Sequence, residues 1–87
     1  MKHAVIVAHP NPDSFTRAIA AAYGEAGLAR RHDVIMRDLY AMCFDPCLQE
    51  SEIPWSKAYA VRDDVVAERE LLKDVDIFAL FYPIWLN

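Results

Sequence analysis

An α/β domain with parallel strands is what this sequence predicts, and three observations carry that reading. The runs Lys2–Ala8 and Ile77–Tyr82 are apolar without the alternation of a half-exposed strand, so each reads as a strand covered on both faces. Two stretches of helical spacing separate the strand-like runs, giving the order strand–helix–strand–helix–strand. Successive strands joined through helices pair in parallel by right-handed crossovers. Strand order 2-1-3 then puts the first strand in the middle. It also leaves the apolar third strand as an edge in need of a neighbour. The 87 residues accordingly read as one domain, residues 1–87, forming the N-terminal portion of a doubly wound sheet.

The first strand ends at a polar, proline-rich turn, His9-Pro10-Asn11-Pro12-Asp13-Ser14. Ser14 has the side chain of a helix N-cap, and the first helix is expected from about Ser14 to Arg30. Phe15, Ala18, Ile19, Ala22, Ala26 and Ala29 recur at helical intervals and read as its buried stripe, with Phe15 in the core. Gly24 and Gly27 each weaken that helix by about 1 kcal/mol, so packing must hold it. Arg30, Arg31 and His32 suit its negative C-terminal end. Arg17, in the first turn, opposes the helix dipole, which a nearby anion or solvent would explain.

Asp33–Leu39, of mixed polarity, reads as an edge strand. Residues 40–55 hold Pro46, Pro54, Cys43 and Cys47 without a sustained period, and form a long connection. The second helix is expected over Lys57–Asp74, with Glu70 and Lys73 paired across one turn. Asp76 opens the third strand and Pro83 closes it.

A formal net charge of −4 with scattered Lys and Arg offers no footprint for nucleic acid. The apolar run from Ile77 to Leu86 is about half of a membrane span, and the opening run does not read as a secretory leader, which leads us to expect a cytoplasmic protein. Cys43 and Cys47 have neither redox-pair nor zinc spacing, and His3, His9 and His32 have no ligand spacing, so no metal is expected.

In open α/β sheets, ligands bind beyond the carboxyl ends of the strands where strand order reverses. That crevice lies between Ala8-His9 and Tyr82-Pro83. The turn lacks G-x-G-x-x-G and G-x-x-x-x-G-K-[ST], which removes the usual dinucleotide and triphosphate fingerprints. Ala8, His9, Tyr82 and Pro83 supply none of the acids a magnesium-holding receiver site needs. A capped helix N-terminus with hydroxyls, facing an aromatic loop, suits the phosphate and flat ring of a flavin.

The segments His9-Pro-Asn-Pro-Asp-Ser-Phe-Thr16, Asp38-Leu-Tyr-Ala-Met-Cys-Phe-Asp-Pro46, Asp64-Val-Val-Ala-Glu-Arg69 and Phe81-Tyr-Pro-Ile-Trp85 resemble the flavodoxin-fold NAD(P)H:quinone oxidoreductase family, which includes DT-diaphorase. The match covers the N-terminal part of such proteins. The resemblance implies FAD or FMN held non-covalently, NAD(P)H as co-substrate, a quinone or similar small acceptor, and a homodimer. It places His9, Ser14, Phe15 and Thr16 at the flavin phosphate or its adjoining chain. Pro83, Ile84, Trp85, Leu86 and Asn87 would lie along the isoalloxazine ring. The groups that assist hydride transfer in that family belong to its second half, so no catalytic residue is assigned here. The alternatives are a flavin-binding ancillary subunit without turnover and an inactive fragment.

Overall fold

The computed structural model describes residues 1–84, and the chain divides into two compact units. Met1–Phe44 together with the chain from Val75 forms one, and Asp45–Asp74 the other. In the first unit, β1 (Lys2–Val7), α1 (Phe15–Ala29), β2 (Asp33–Asp38) and β3 (Ile77–Phe81) build a parallel sheet in the order β2-β1-β3. Both the strand order and the parallel sense follow the sequence reading. The chain's β1 is central for the reason its composition implied: Ala4, Val5 and Val7 are fully buried.

The buried face of α1 differs from expectation. Ala20, Gly24 and Gly27 face the sheet with Tyr23 partly covered, whereas Phe15 is 80 % exposed and Ile19, Ala22 and Ala26 are also exposed. A Cβ on Gly27 would lie 2.9 Å from Val34 Cγ2, closer than such atoms approach, while one on Gly24 would meet Met36 and Val34 at an ordinary 3.7 Å. The helix therefore approaches β2 on its smallest residues. The periodicity of the larger apolar residues marks its outer side.

The third strand is an edge among the described residues, and Phe78 and Leu80 are 54 % and 61 % exposed. Its other face carries Phe81, which meets Tyr23 edge-on at 5.6 Å between ring centroids. Asp76, just before β3, accepts the Lys2 backbone N–H at 2.8 Å and returns its own N–H to the Lys2 carbonyl, also at 2.8 Å.

In the second unit, α2 (Asp63–Leu72) is shorter than the sequence spacing implied, beginning six residues after Lys57. Arg62 stands at its N-cap in extended backbone. Its guanidinium donates to the Asp45 carbonyl at 2.6 Å and contacts the carboxylates of Glu52 (2.7 Å) and Asp45 (3.4 Å). Asp63 and Asp64 then supply the acids that favour a helix start. Charge at the helix entry, invisible to hydrophobic periodicity, decides the boundary. Glu70 and Lys73 pair at 3.0 Å as expected.

The Cys47 backbone N–H donates to Asp45 Oδ1 at 2.9 Å. With the Cys47 side chain and then Arg62 adding to it, this bond holds the Asp45 carboxyl below its usual 3.8. A depressed carboxylate stabilises the fold above its unfolded value, and the contribution disappears as pH falls through the folded one. Carbon-detected NMR titration of the Asp45 carboxyl should give a midpoint below 3.8, and a midpoint at or above it would contradict this clasp.

Candidate functional site

The carboxyl ends of the strands are knitted at main-chain level. Val7 O accepts from Leu39 N at 3.0 Å and Phe81 O accepts from Ala8 N at 2.9 Å. His9 and Pro83 thus leave the sheet from adjacent strands, and the structure brings together the two segments the sequence assigned to one crevice.

The turn from His9 to Ser14 is internally braced. His9 Nδ1 accepts the Asn11 N–H at 3.0 Å, Asn11 Oδ1 accepts the Asp13 N–H at 2.9 Å, and the Asn11 carbonyl accepts the Ser14 N–H at 3.1 Å. These bonds recruit the short polar side chains that turns favour. His9 is therefore first a turn-forming residue, with Nδ1 committed to the backbone.

Ser14 caps α1 in extended backbone, and its Oγ accepts the Arg17 N–H at 3.1 Å. Helix geometry leaves the Phe15 and Thr16 N–H groups without acceptors inside the helix. The first turn of α1 contains no acid, and Asp13, just before the cap, is on the exposed turn. Ser14 and Thr16 are half-buried, Phe15 exposed. A hollow of about 280 Å³ opens beside this start, lined among others by Ser14, Arg17, Ala18 and Met36. The donors present fit a phosphate.

Arg17 was open to two explanations, and the structure gives it a partner of its own. Its guanidinium forms an ion pair with Asp38, a buried carboxylate at the end of β2. Asp38 Oδ1 also accepts the Ala41 N–H at 3.2 Å, and the Asp38 carbonyl accepts the Met42 N–H at 2.9 Å. Asp38 was absent from the sequence-predicted site residues. The cation misplaced in the first turn was the signal that could have found it.

Ile84 is exposed and Pro83 half-buried just beyond β3, while Trp85, Leu86 and Asn87 lie outside the described residues. The Asp45–Asp74 unit has a larger hollow, about 560 Å³, around Ile53 and Trp55. No ion pair marks it among the described residues. Chemistry therefore points to the α1 start.

Several known proteins are similar to this chain in sequence and structure. A Haemophilus influenzae protein described as an uncharacterized NAD(P)H oxidoreductase is 35% identical over 86 residues, covering 98% of this chain and 43% of that protein. The NAD(P)H dehydrogenase [quinone] 1 of Cavia porcellus is 28% identical, covering 92% of this chain and 35% of that protein. The structure of an NAD(P)H:quinone oxidoreductase from Methanothermobacter marburgensis superposes with a TM-score of 0.84 at 30% identity, over 98% of this chain and 45% of that one. The chain thus spans under half the length of these relatives. The family model for the flavodoxin-like fold matches residues 1–87 throughout, and the chain belongs to that family.

Proposed function

We propose that this chain is the phosphate-binding half of a flavin-dependent NAD(P)H:quinone oxidoreductase. The observation that supports it is the hydroxyl-capped, acid-free start of α1 at the carboxyl end of β1, next to the end of β3. Ser14 and Thr16 would hold the phosphate of FAD or FMN through their hydroxyls and first-turn N–H groups. Phe15 would lie along the adjoining chain, with His9 shaping the turn beneath it. Pro83, Ile84, Trp85, Leu86 and Asn87 would line the ring. The bound flavin would supply two-electron hydride transfer between NAD(P)H and a quinone. The protein's own contribution is orientation, together with main-chain dipoles that favour negative charge. A homo-oligomer working in the cytoplasm completes the reading.

Flavin titration of the 87-residue chain, followed by quenching of flavin fluorescence, tests it. FMN is expected to bind at least about tenfold more tightly than riboflavin, which has no phosphate, since one charge-assisted hydrogen bond contributes about 1.5–3 kcal/mol. Ser14→Ala and Thr16→Ala should shrink that ratio. Equal binding of FMN and riboflavin by the folded chain would remove the phosphate cradle. The alternative is flavin binding without turnover. Menadione reduction with NAD(P)H distinguishes the two.

A further inference from the structure

At the opposite end of β1 from the proposed cradle, three side chains form a hydrogen-bonded chain that the function above does not use. His3 is only 7 % exposed. Its Nδ1 lies 2.8 Å from Tyr23 Oη and its Nε2 lies 2.9 Å from His32 Nδ1. The two imidazole planes are within 15° and their centroids 5.0 Å apart, so the rings meet edge to edge in nearly one plane with their nitrogens facing. At about 3.3 Å per strand residue, this cluster sits roughly 16 Å along β1 from Ala8.

We propose that His3 and His32 form a one-proton pair, a built-in acid-sensitive latch between β1 and the turn that follows α1. Two nitrogens on one tetrahedral metal would stand about 3.3 Å apart, at about 2.0–2.1 Å per bond. The 2.9 Å between these two is the length of an N–H···N hydrogen bond. With both rings neutral, one nitrogen donates and the other accepts, and Tyr23 completes the chain in either direction. A first added proton preserves it: His32 donates from Nδ1 to His3 Nε2, and His3 donates from Nδ1 to the Tyr23 oxygen. A second proton sets N–H against N–H between two cations, and the contact breaks.

The surroundings act in the same sense. The C-terminal carbonyls of α1 lie at this end of the helix, and Gly27 O accepts the His32 backbone N–H at 3.0 Å. Tyr23 of α1 and Arg30 at its C-cap line a cavity of about 160 Å³ with the two rings, and the Arg30 charge opposes a second cation there. Arg31 precedes and Asp33 follows His32; Val34 of β2 and Ile77 of β3 flank His3 in the sheet without charge. Lys2 and Asp76 occupy the strand ends beside it. The folded pair therefore takes up one proton where the unfolded chain takes two. Once pH falls below the ordinary imidazole value of about 6.5, the folding constant should drop about tenfold per pH unit from this pair alone.

Imidazole ¹⁵N NMR of the 87-residue chain between pH 8 and 5, with urea unfolding at each pH, tests the latch. The expected result is summed proton uptake by His3 and His32 that stops at one while the chain is folded. The unfolding equilibrium should also depend on pH more steeply, by about tenfold per unit, than in His32→Gln, whose amide can still bond His3. Both rings becoming imidazolium in the folded chain would overturn the proposal, as would an unchanged pH slope in His32→Gln. Should that variant not fold, the ring titrations of the unaltered chain decide.

Discussion

Asp38→Ala is expected to destabilise the chain by about 2–3 kcal/mol, below the range for a fully buried pair because about a third of the Arg17 side chain is open to water. The loss has several sources. Arg17 is left without a counter-charge in the first turn of α1, where the helix dipole already opposes it. The Ala41 N–H loses its acceptor on Asp38 Oδ1. Because Asp38 ends β2 and Arg17 lies in the first turn of α1, the pair also ties the end of one strand to the helix start proposed to hold phosphate. Urea unfolding of Asp38→Ala, Arg17→Met and the double variant gives the coupling directly. The double variant should recover part of the Asp38→Ala loss, since it no longer carries an uncompensated charge. Additive single effects would mean that water already screens the pair.

The two glycines of α1 should respond in opposite directions. Gly27→Val is expected to cost about 2–3 kcal/mol, since the first carbon added would already stand 2.9 Å from Val34 Cγ2. Valine side chains have little rotamer freedom with which to yield, so the helix itself must move off β2. Gly24→Ala meets only ordinary contacts at 3.7 Å and should gain about 0.5–1 kcal/mol from lower unfolded-state entropy and better helix propensity. Thermal or urea unfolding of both variants measures the contrast. A stabilising Gly27 variant would mean that α1 does not seat on β2 through this residue.

The same helix shows where reading a sequence succeeds and where it stops. Its ends were legible in chemistry local to them: Ser14 caps the start and Arg30 stands at the C-cap. Its buried side was not, because periodicity records which residues are large and apolar, whereas close approach to a sheet selects small ones. Gly24, Gly27 and Ala20 took the interface, and Phe15 and Ile19 were left outside. At α2 the misjudged start has a different cause, since Arg62 is drawn out of the helix by Asp45 and Glu52, acids 17 and 10 residues earlier in the chain.

By itself the sequence determined the element order, the parallel sheet with β1 central, and the capped start of α1. Each is written in neighbouring residues: unbroken apolar runs, a capping serine, prolines at strand ends. Only the tertiary structure decided which side of α1 packs, what neutralises Arg17, and that His3, Tyr23 and His32 form one hydrogen-bonded chain. The last two join residues 20 or more positions apart, and a pairing at that distance exists only once the sheet has set two strand ends and a helix side by side.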